Sequence, residues 1–576
     1  MNPIVREIAE RAADLLRVPV ARVEGVLAPP REESLGDYTI PCFAFAKELR
    51  RSPQEIAAEL ASALEELSSV ERAEAAGPYV NITVDRPRLL AHILGQVLRE
   101  GEGYGSSGEG RGKTIVIDYS SPNIARPFTI AHMRTTVLGH SLKRIYEHLG
   151  YRVVGVNHLG DWGTQFGALI AAYKRWGVRE RVERENVYEL FRLYVRFHEE
   201  AKQDPSLEEE GRAWFKRLEE GDPEARELWQ WFVDLSWQVF QRYYEILGIE
   251  FEEVRGESAY RDRTGPLIQE LLEKGIAKES RGAVIVPLED SEDGKDDKEE
   301  PPLLLRKSDG TTLYATRDLA AAIYHYETYR FHKKLYVVDA GQSLHFKQLF
   351  KALEKMGYPW AKDLVHVAFG VVLFEEQRMS TRAGRVVFFE DVLNQAVERI
   401  RQIIEQAEKK TDLTEEEKER VAQDVGVGAI VYANLSRSRL QNIHFRWDEV
   451  LSFEGRSGPY LQYTHARLAG VLRKYGREIP QAPDCAALSQ LQEVALAKKL
   501  EQFPSRVQSA AREYDPFLLS DYLYDLALAT NKFYDSCRVL GEPSEVEGAR
   551  IALVYAAKTV LKKGLELLGM KAPEKM

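Results

Sequence analysis

One apolar run that leads into a helical pattern constrains the fold of this chain most strongly. The run KTIVIDYS, at residues 113–120, is apolar without alternation, which is typical of a strand buried on both faces of a parallel sheet. The segment HMRTTVLGHSLKRIYEHLG, at 132–150, repeats apolar residues with helical spacing and ends in glycine. The segment YRVVGVNHLGDWG, at 151–163, then begins with a second apolar run. Strand, helix and strand in this order predict a βαβ unit.

Further apolar runs indicate that this unit belongs to a larger sheet. KKLYVVDAG (333–341) and LVHVAFGVVLF (364–374) each have a helical pattern nearby, whereas residues 165–275 are mainly helical and are interpreted as an insertion. We therefore predict an α/β fold with a doubly wound parallel sheet of Rossmann type. Ligands of such sheets bind at the carboxyl ends of the strands, so the loops after IVID and GVVLF are the candidate sites.

The flanking regions differ from this central part. The N-terminal region combines helical periodicity with the short strand YVNITV and ends in the glycine-rich segment GEGYGSSGEGRG, so it predicts a small α/β domain followed by a linker. After the sheet the pattern is helical to the end. We expect an N-terminal domain at 1–108, a central domain at 109–393, a helical connecting region at 394–455 and a helical domain at 456–576.

Composition narrows the functional classes. The formal net charge of −11 over 576 residues argues against a generally basic nucleic-acid coat, so a polyanion would have to meet local clusters of Arg and Lys. The chain has no uncharged apolar stretch of about twenty residues, and its N-terminus does not resemble a signal peptide, so we expect a cytoplasmic protein without a membrane partner. Three distant cysteines predict neither a disulfide framework nor a structural zinc site.

The loop after the first strand has the residues of a phosphate site. Ser120, Ser121 and Asn123 are followed by Thr129 and then by His132 where a helix begins. Free backbone N–H groups and the positive end of the helix dipole favour an anion at such a position, and a histidine there can donate a proton. The alternative is that His132 only packs or caps the helix.

The second candidate loop is basic. It reads EEQRMSTRAGRVV at 375–387 and contains Arg378, Arg382 and Arg385. Guanidinium groups bind phosphate oxygens in a forked geometry and can stabilise charge that develops in a transition state. A solvated basic turn is the alternative interpretation.

A possible seat for a cationic side chain lies between the two loops. Tyr314 and Asp318 are four residues apart and so share one helical face. A carboxylate beneath a tyrosine suits a cation, although Asp318 could equally pair with Arg317 or a nearby lysine. Gln342 and His345 follow a strand end, where they either face a ligand or cap a helix.

Taken together, these segments resemble the class I aminoacyl-tRNA synthetases and, within them, the arginyl-tRNA synthetase family. SSPNIARPFTIAHMRTTVLGHSL (120–142) is similar to the signature with the HIGH tetrad, and RMSTR (378–382) is similar to the KMSKS loop. NHLGDWGTQFG, LYATRDLA, LSFEGRSGPYLQYTHAR and the terminal LELLGMKAPEKM also resemble family segments. The resemblance covers essentially the whole chain and implies a Rossmann-type catalytic domain and an all-α anticodon-binding domain.

The resemblance implies two groups of small-molecule contacts. Arginine would be bound at its amino and carboxylate end by Ser121, Asn123 and His132, with Asp118 helping to hold it, and at its guanidinium end by Tyr314, Asp318 and Gln342. ATP would be bound by Ser120, Thr129, His132, His345, Met379 and Ser380, with Arg378 and Arg382 at the phosphates. His132, Arg378 and Arg382 would be the catalytic residues.

The implied chemistry has two steps. Arginine's carboxylate attacks the α-phosphate of ATP, with Mg²⁺ assisting, and expels pyrophosphate to give arginyl-adenylate. The 2′-hydroxyl of the terminal adenosine of tRNA(Arg) then attacks the adenylate. Family members are generally monomeric and need bound tRNA before they activate arginine, and we expect both properties here.

The resemblance also implies two tRNA contacts. Tyr79 and Asn81, two apart on a strand, would read the D-loop, and an aromatic ring and an amide are the side chains that single-stranded RNA needs. An edge-strand tyrosine packed on the core is the alternative for Tyr79. In the C-terminal helices the anticodon loop would be met by Tyr460, Tyr463, Arg467 and Tyr534, although stripes of this kind are often core.

Three positions depart from the family signatures, namely Thr129 and Ala131 in the tetrad and Arg378 in the second signature. The methyl group of Ala131 lies where the adenine ring approaches the backbone in the family, and it could weaken ATP binding. Two other functions therefore stay open: a tRNA-binding paralogue without ligase activity, and another enzyme of the HIGH type. The arginine-pocket residues count against both alternatives.

Overall fold

The computed structural model describes residues 2–30, 32, 35–288, 301–374, 377–378, 387–406 and 413–576. These residues form two compact units. One comprises Met1–Tyr104, Arg467–Phe503 and Asp525–Leu561, and the other comprises Gly105–Ala466, Pro504–Tyr524 and Lys562–Met576. The first unit thus combines the N-terminal region with parts of the C-terminal helices, and the second contains both segments with signature resemblance.

The N-terminal region folds as a small antiparallel sheet flanked by helices. The strand order is β1-β3-β2, and the strand YVNITV is the central one. Ser52 and Glu55 cap the fourth helix reciprocally, which explains why that helix begins directly after Ser52. The elements are α1 (Pro3–Leu16), α2 (Val20–Glu24), β1 (Tyr38–Pro41), α3 (Phe43–Leu49), α4 (Pro53–Glu65), β2 (Val70–Ala76), β3 (Tyr79–Val84) and α5 (Arg86–Glu100).

The second unit is built on the predicted parallel sheet, so the predicted fold class is confirmed. The strand order is β11-β10-β4-β5-β6, with every pair parallel. The run KTIVIDYS forms β4 at the centre, and Asp118 is its last residue. The elements of this sheet and its first helix are β4 (Thr114–Asp118), α6 (Ile130–His148), β5 (Arg152–Asn157), β6 (Glu253–Val254), β10 (Lys333–Tyr336) and β11 (Leu364–His366).

The segment interpreted as a helical insertion is not purely an insertion. Its residues Glu253–Val254 pair with β5 and add an edge strand to the sheet, so the expectation that this segment contributes no core strand was wrong. A two-residue strand is too short to show a periodicity in the sequence. The helices of the segment are α7 (Thr164–Trp176), α8 (Arg179–Glu200), α9 (Ser206–Glu220), α10 (Pro223–Leu247) and α11 (Arg261–Glu273).

Two smaller sheets lie outside the main one. An antiparallel sheet of order β7-β8-β9 follows α11, and a sheet of order β13-β12-β14 contains the run GVVLF. The second candidate loop therefore follows a strand of a separate sheet, and the region beyond residue 393 is not entirely helical. The elements are β7 (Lys278–Ser280), β8 (Ala283–Val286), β9 (Leu303–Arg306), α12 (Tyr314–Tyr329), α13 (Ser343–Lys355), β12 (Val372–Phe374), β13 (Gln377–Arg378) and β14 (Ile443–Phe445).

The remaining elements are helices, as the periodicity predicts. None of the helices in the described part of the chain has the length and apolar character that crossing a membrane requires. They are α14 (Phe389–Gln406), α15 (Glu415–Leu435), α16 (Trp447–Val450), α17 (Gly458–Tyr475), α18 (Leu491–Glu501), α19 (Phe503–Arg512), α20 (Phe517–Ser536) and α21 (Ser544–Leu567).

Within the first unit, α18 is joined to the N-terminal sheet by polar contacts. The Lys498 ammonium lies 2.5 Å from a carboxylate oxygen of Asp37, which is almost completely buried. The Tyr38 hydroxyl donates to Glu501 at 3.1 Å, and the Tyr104 hydroxyl donates to the carbonyl of Leu500 at 3.1 Å. These contacts, which are distant in sequence, make the two segments one compact body.

Candidate active site

The loop after β4 is held in an unusual backbone conformation. Ser120, Ser121 and Ala125 all have φ in the left-handed region, at 71°, 45° and 61°. Such angles cost free energy in residues with a Cβ and persist only where the surroundings impose them. Here the Ser120 hydroxyl lies 2.8 Å from the Tyr244 hydroxyl and accepts a hydrogen bond from Thr136 at 2.8 Å. The buried hydroxyls thus fix the loop at the carboxyl end of the central strand.

Ser121 connects this loop to the end of β4. Its hydroxyl donates to Oδ1 of Asp118 at 3.0 Å, and its backbone N–H donates to Oδ1 of Asn157 at 3.2 Å. Burial raises the pKa of Asp118, and the charge of Lys334 opposes that shift. Asn123 is exposed and packs on Gly160, where an added Cβ would lie 2.3 Å from the Asn123 amide oxygen. Asp118, Ser121 and Asn123 are therefore brought to one edge of the sheet.

The start of α6 presents an uncharged histidine. The backbone N–H of Thr129 donates to Nδ1 of His132 at 3.1 Å, so this nitrogen is an acceptor and the ring hydrogen is on Nε2. Burial, with a smaller contribution from Arg126, lowers the pKa of His132 to about 4. His132 can therefore donate a hydrogen bond at neutral pH without adding a positive charge. The neighbouring Ala131 is exposed.

The residues of the predicted cation seat, Tyr314 and Asp318, lie on α12 beside His345 of α13. His345 Nε2 lies 2.8 Å from Oδ2 of Asp318, and the rings of His345 and Tyr314 are 4.8 Å apart. Burial acts to raise the pKa of Asp318, but the hydrogen bond and charge of His345, together with the charges of His158 and Arg317, lower it below its ordinary 3.8. An ionised carboxylate beside a half-exposed tyrosine is suited to binding a cationic side chain.

The alternative pairing of Asp318 with Arg317 is not observed. Arg317 instead donates to Glu257 at 2.7 Å. Two further residues that were not predicted from the sequence lie near enough to Asp318 for their charges to interact with it. His158 Nε2 is 3.8 Å from Oδ1 of Asp318, and Lys334 Nζ lies 2.6 Å from a ring nitrogen of the buried His325.

These two residues have unusual environments. Both ring nitrogens of His158 are buried and have no hydrogen-bond partner among the described residues. Lys334 is fully buried, and burial lowers its pKa to about 8, although the charges of Asp118 and Asp318 oppose the shift. The position of His158 directly after a strand end could have marked it in the sequence, whereas Lys334 lies within an apolar strand and gave no such signal.

The other residues expected to bind small molecules differ in their exposure and contacts, and some of them lie outside the described residues. Gln342 is exposed in the short 3-10 helix Ala340–Gln342 after β10. His345, expected beside adenosine, makes its side-chain hydrogen bond to Asp318. Met379, Ser380 and Arg382 lie outside the described residues, as does the side chain of Arg378.

The two N-terminal residues expected to contact tRNA differ in exposure. Tyr79 is 39% exposed, and the edge of its ring meets Phe43 at 5.7 Å. Asn81 is buried and accepts a hydrogen bond from the Thr39 hydroxyl at 3.0 Å. The ring of Tyr79 is therefore partly open to solvent, whereas Asn81 is almost fully covered.

The C-terminal residues expected to contact tRNA also make contacts with other side chains of the protein. In the second unit, Tyr460 packs on Tyr524 at 5.9 Å, and Tyr463, which is 38% exposed, meets Phe453 at 6.3 Å. In the first unit, the guanidinium of Arg467 donates to the side chain of Asn531 at 2.8 Å. It also lies 5.0 Å from the ring centroid of Tyr534, which is 39% exposed.

The three cysteines lie in the interior of the protein. Cys42, Cys485 and Cys537 are free and buried, and burial raises the pKa of Cys42 and of Cys485 to about 11. Within the described residues, no three side chains of His, Cys, Asp or Glu are grouped so that they could hold a metal ion.

Three ranges of the chain match the models of known protein families. Residues 94–447 match the family described as tRNA synthetases class I (R), catalytic domain. Residues 461–576 match the DALR anticodon binding domain, and residues 3–84 match the arginyl tRNA synthetase N terminal domain. The parallel sheet thus belongs to the catalytic domain of a class I aminoacyl-tRNA synthetase.

Individual relatives show which family within this class the chain belongs to. The chain is 46% identical over 569 residues to the arginine–tRNA ligase of Clostridioides difficile (strain 630), covering 99% of this chain and 98% of the relative. It is 48% identical over 552 residues to arginine–tRNA ligase 2 of Bacillus anthracis, covering 96% and 95%. The structure of Thermus thermophilus arginyl-tRNA synthetase matches with a TM-score of 0.79 and 28% identity over all of both chains. The chain belongs to the arginyl-tRNA synthetase family.

Proposed function

We propose that the chain ligates L-arginine to tRNA(Arg) with consumption of ATP, through an arginyl-adenylate. The observation that carries this proposal is the ionised Asp318, held by His345 beside Tyr314 in the same unit as the helix start with His132. A carboxylate binds the cationic side chain of the amino acid, and a helix start with a neutral N–H donor accommodates phosphate.

In the first step one carboxylate oxygen of arginine attacks the α-phosphorus of ATP. The bond from the α-phosphorus to the bridging oxygen breaks, and pyrophosphate leaves with Mg²⁺ that entered bound to ATP. No general base is required because the attacking carboxylate is already ionised at neutral pH. The protein contributes position and charge stabilisation.

Arginine is assigned to the pocket at the carboxyl edge of β4 and β10. Tyr314, Asp318 and Gln342 receive its guanidinium end. Asp118, Ser121 and Asn123 receive its amino and carboxylate end. The support is that Ser121 holds Asp118 at 3.0 Å and that Asn123 is exposed on the same loop.

ATP is assigned to the start of α6. His132 donates from Nε2 to a phosphate oxygen, and Arg378 and Arg382 neutralise the charge on the leaving pyrophosphate. The remaining contacts come from Ser120, Thr129, His345, Met379 and Ser380.

In the second step the 2′-hydroxyl oxygen of the terminal adenosine attacks the carbonyl carbon of the adenylate, the bond from that carbon to the phosphate oxygen breaks, and AMP leaves as its phosphate takes up the hydroxyl proton. The tRNA is held by Tyr79 and Asn81 on the N-terminal sheet and by Tyr460, Tyr463, Arg467 and Tyr534 on the C-terminal helices. The chain acts as a monomer in the cytoplasm, and analytical ultracentrifugation and cell fractionation test these two properties.

The decisive experiment is ATP–pyrophosphate exchange with arginine, in the presence and absence of tRNA(Arg). We expect exchange with arginine and tRNA, and little with lysine. A folded protein that binds tRNA(Arg) but catalyses no exchange in either condition would instead be a binding protein without ligase activity. Exchange that prefers a different amino acid would identify another enzyme of the same class.

The pocket assignment has its own test. Asp318→Ala removes the carboxylate and should raise the KM for arginine with a smaller effect on the KM for ATP. The control is Asp262→Ala, which removes an exposed carboxylate that pairs with Arg261 outside the pocket. If Asp318→Ala leaves the KM for arginine at the value of the control, the assignment of Asp318 is refuted.

A further inference from the structure

Arg134 is a fully buried guanidinium in the first turns of α6, two residues after His132. It donates hydrogen bonds to four backbone carbonyls of two other segments. These are Gly370 at 3.1 Å, Asn434 at 2.7 Å, Arg439 at 2.9 Å and Gln441 at 3.1 Å. One side chain therefore joins the start of α6 to the segment before β12, to the last turn of α15 and to the segment between α15 and β14.

The chemistry of these contacts requires an arginine. Its acceptors are neutral carbonyls, and burial lowers its pKa to about 10 against the opposing charge of Asp515, so it stays protonated near neutral pH. The carbonyl of Asn434 belongs to the last turn of α15, where helix carbonyls lack partners within the helix and favour a cation. A planar fork of N–H donors can reach all four carbonyls, whereas a lysine ammonium offers three donors at a single point.

Gly370 matters because it directly precedes the strand pair that leads into RMSTR. Its N–H donates to the carbonyl of Arg439 at 2.8 Å, and Val371 N–H donates to the side chain of Asn442 at 3.0 Å. Any Cβ at position 370 would lie 2.7 Å from the carbonyl of Gln441, so the two segments approach closely. Arg134 thus holds one end of the chain segment that carries the second signature.

The other end of that segment is also attached to the start of α6. The N–H of Ile130 donates to the carbonyl of Val387 at 3.2 Å, and the N–H of Phe389 donates to the carbonyl of Phe128 at 3.0 Å. The two attachments lie on either side of His132 in the sequence. Gly370 and Val387, which precede and follow the second signature in the sequence, are therefore each hydrogen-bonded to a residue close to His132.

We propose that Arg134 is a positioning residue for ATP, which sets the distance between the helix start with His132 and the strand pair β12–β13. The inference rests on the proposed ligase function. Arg134 touches no substrate and acts through the backbone of Gly370. Small displacements of groups that bind a reacting phosphate lower the rate steeply, so the effect should fall on ATP rather than on arginine.

The test is Arg134→Lys, which keeps the charge but not the forked geometry. The matched control is Arg144→Lys on the same helix, where the guanidinium donates to His140. Both variants are assayed by ATP–pyrophosphate exchange with saturating tRNA(Arg), after circular dichroism has verified that they are folded. We expect kcat/KM for ATP to fall about tenfold or more in Arg134→Lys, while the KM for arginine and the control variant stay near wild type.

Two outcomes would overturn the proposal. One is a value of kcat/KM for ATP equal to that of the control, and the other is an equal rise of the KM values for ATP and arginine, which indicates general loosening. If Arg134→Lys does not fold at the assay temperature, kcat/KM for ATP is measured in Asn442→Ala instead. This variant removes the hydrogen bond from the N–H of Val371, next to Gly370, and keeps the buried charge of Arg134. Failure of the wild-type enzyme to catalyse exchange would refute the ligase function instead.

Discussion

The Nε2 atom of His345 lies 2.8 Å from Oδ2 of Asp318 and makes this carboxylate a fixed acceptor at the edge of the sheet. The same imidazole packs against Tyr314 at 4.8 Å between ring centroids, so one ring contacts both the carboxylate and the tyrosine. His345 was expected beside adenosine, and its contacts are with Asp318 and Tyr314, to which we assign the guanidinium of arginine. The two roles predict different kinetics.

Replacement of His345 distinguishes them. His345→Asn cannot reach Oδ2 with a donor in the place of Nε2, so Asp318 loses a hydrogen bond to a charged group, which is worth about 1.5–3 kcal/mol. We expect the KM for arginine to rise about tenfold or more and the KM for ATP to change less. The measurement is pyrophosphate exchange at varied arginine and varied ATP, with His332→Asn at an exposed position as control. A rise confined to the KM for ATP would assign His345 to adenosine.

His158 should show opposite effects on stability and on affinity. Because its ring nitrogens are buried without hydrogen-bond partners among the described residues, His158→Leu removes an unpaired polar group and should raise the free energy of unfolding by about 1 kcal/mol. The ring lies 3.8 Å from Asp318, so the same variant should raise the KM for arginine. Urea unfolding and exchange kinetics measure the two quantities. A loss of stability would mean that His158 forms hydrogen bonds in the free enzyme.

The sequence predicted the main sheet because β4 and β5 are long enough for their apolar runs to be visible. Glu253–Val254 and Ile443–Phe445 escaped prediction because two or three residues have no measurable period and are strands only by virtue of their neighbours. The cation seat at Asp318 was predicted from a spacing of four residues. Lys334 could not be predicted in the same way, because its burial depends on β4 and β11, which are distant in sequence.

The low pKa of His132 has a consequence for stability. The folded protein binds a proton at His132 only near pH 4, whereas the unfolded chain binds it near pH 6.5. Between these values the unfolded state holds more protons, so the free energy of unfolding should fall as the pH falls from 6.5 towards 4. His132→Asn, whose amide oxygen can accept from Thr129 as Nδ1 does, should make this decline shallower. Urea unfolding at several pH values compares the two slopes, and identical slopes would contradict the prediction.

The same shift concerns the pH profile of activity. Because His132 in the free enzyme is neutral above its pKa of about 4, its titration should add no acidic limb to kcat/KM for exchange near pH 6.5. A limb there that disappears in His132→Asn would show that this histidine is charged in the working enzyme.

The buried carboxylate of Asp37 predicts a stability effect within the first unit. Asp37 is 1% exposed, pairs with Lys498 at 2.5 Å and accepts the N–H of Val84 at 3.0 Å. Lys498→Met leaves this charge with weaker compensation, and breaking a buried pair costs about 3–5 kcal/mol. Because Lys498 is itself 24% exposed, we expect the lower end of that range.

The matched control is Lys174→Met, whose partner Glu224 lies at 2.7 Å with both side chains nearly half exposed. An exposed pair contributes about 1 kcal/mol or less, so this variant should unfold at nearly the wild-type urea concentration. Pyrophosphate exchange should be unchanged in Lys498→Met below its unfolding temperature, because both partners lie in the first unit and the proposed ATP and arginine sites lie in the second. Equal unfolding free energies for the two variants would show that Lys498 does not stabilise Asp37.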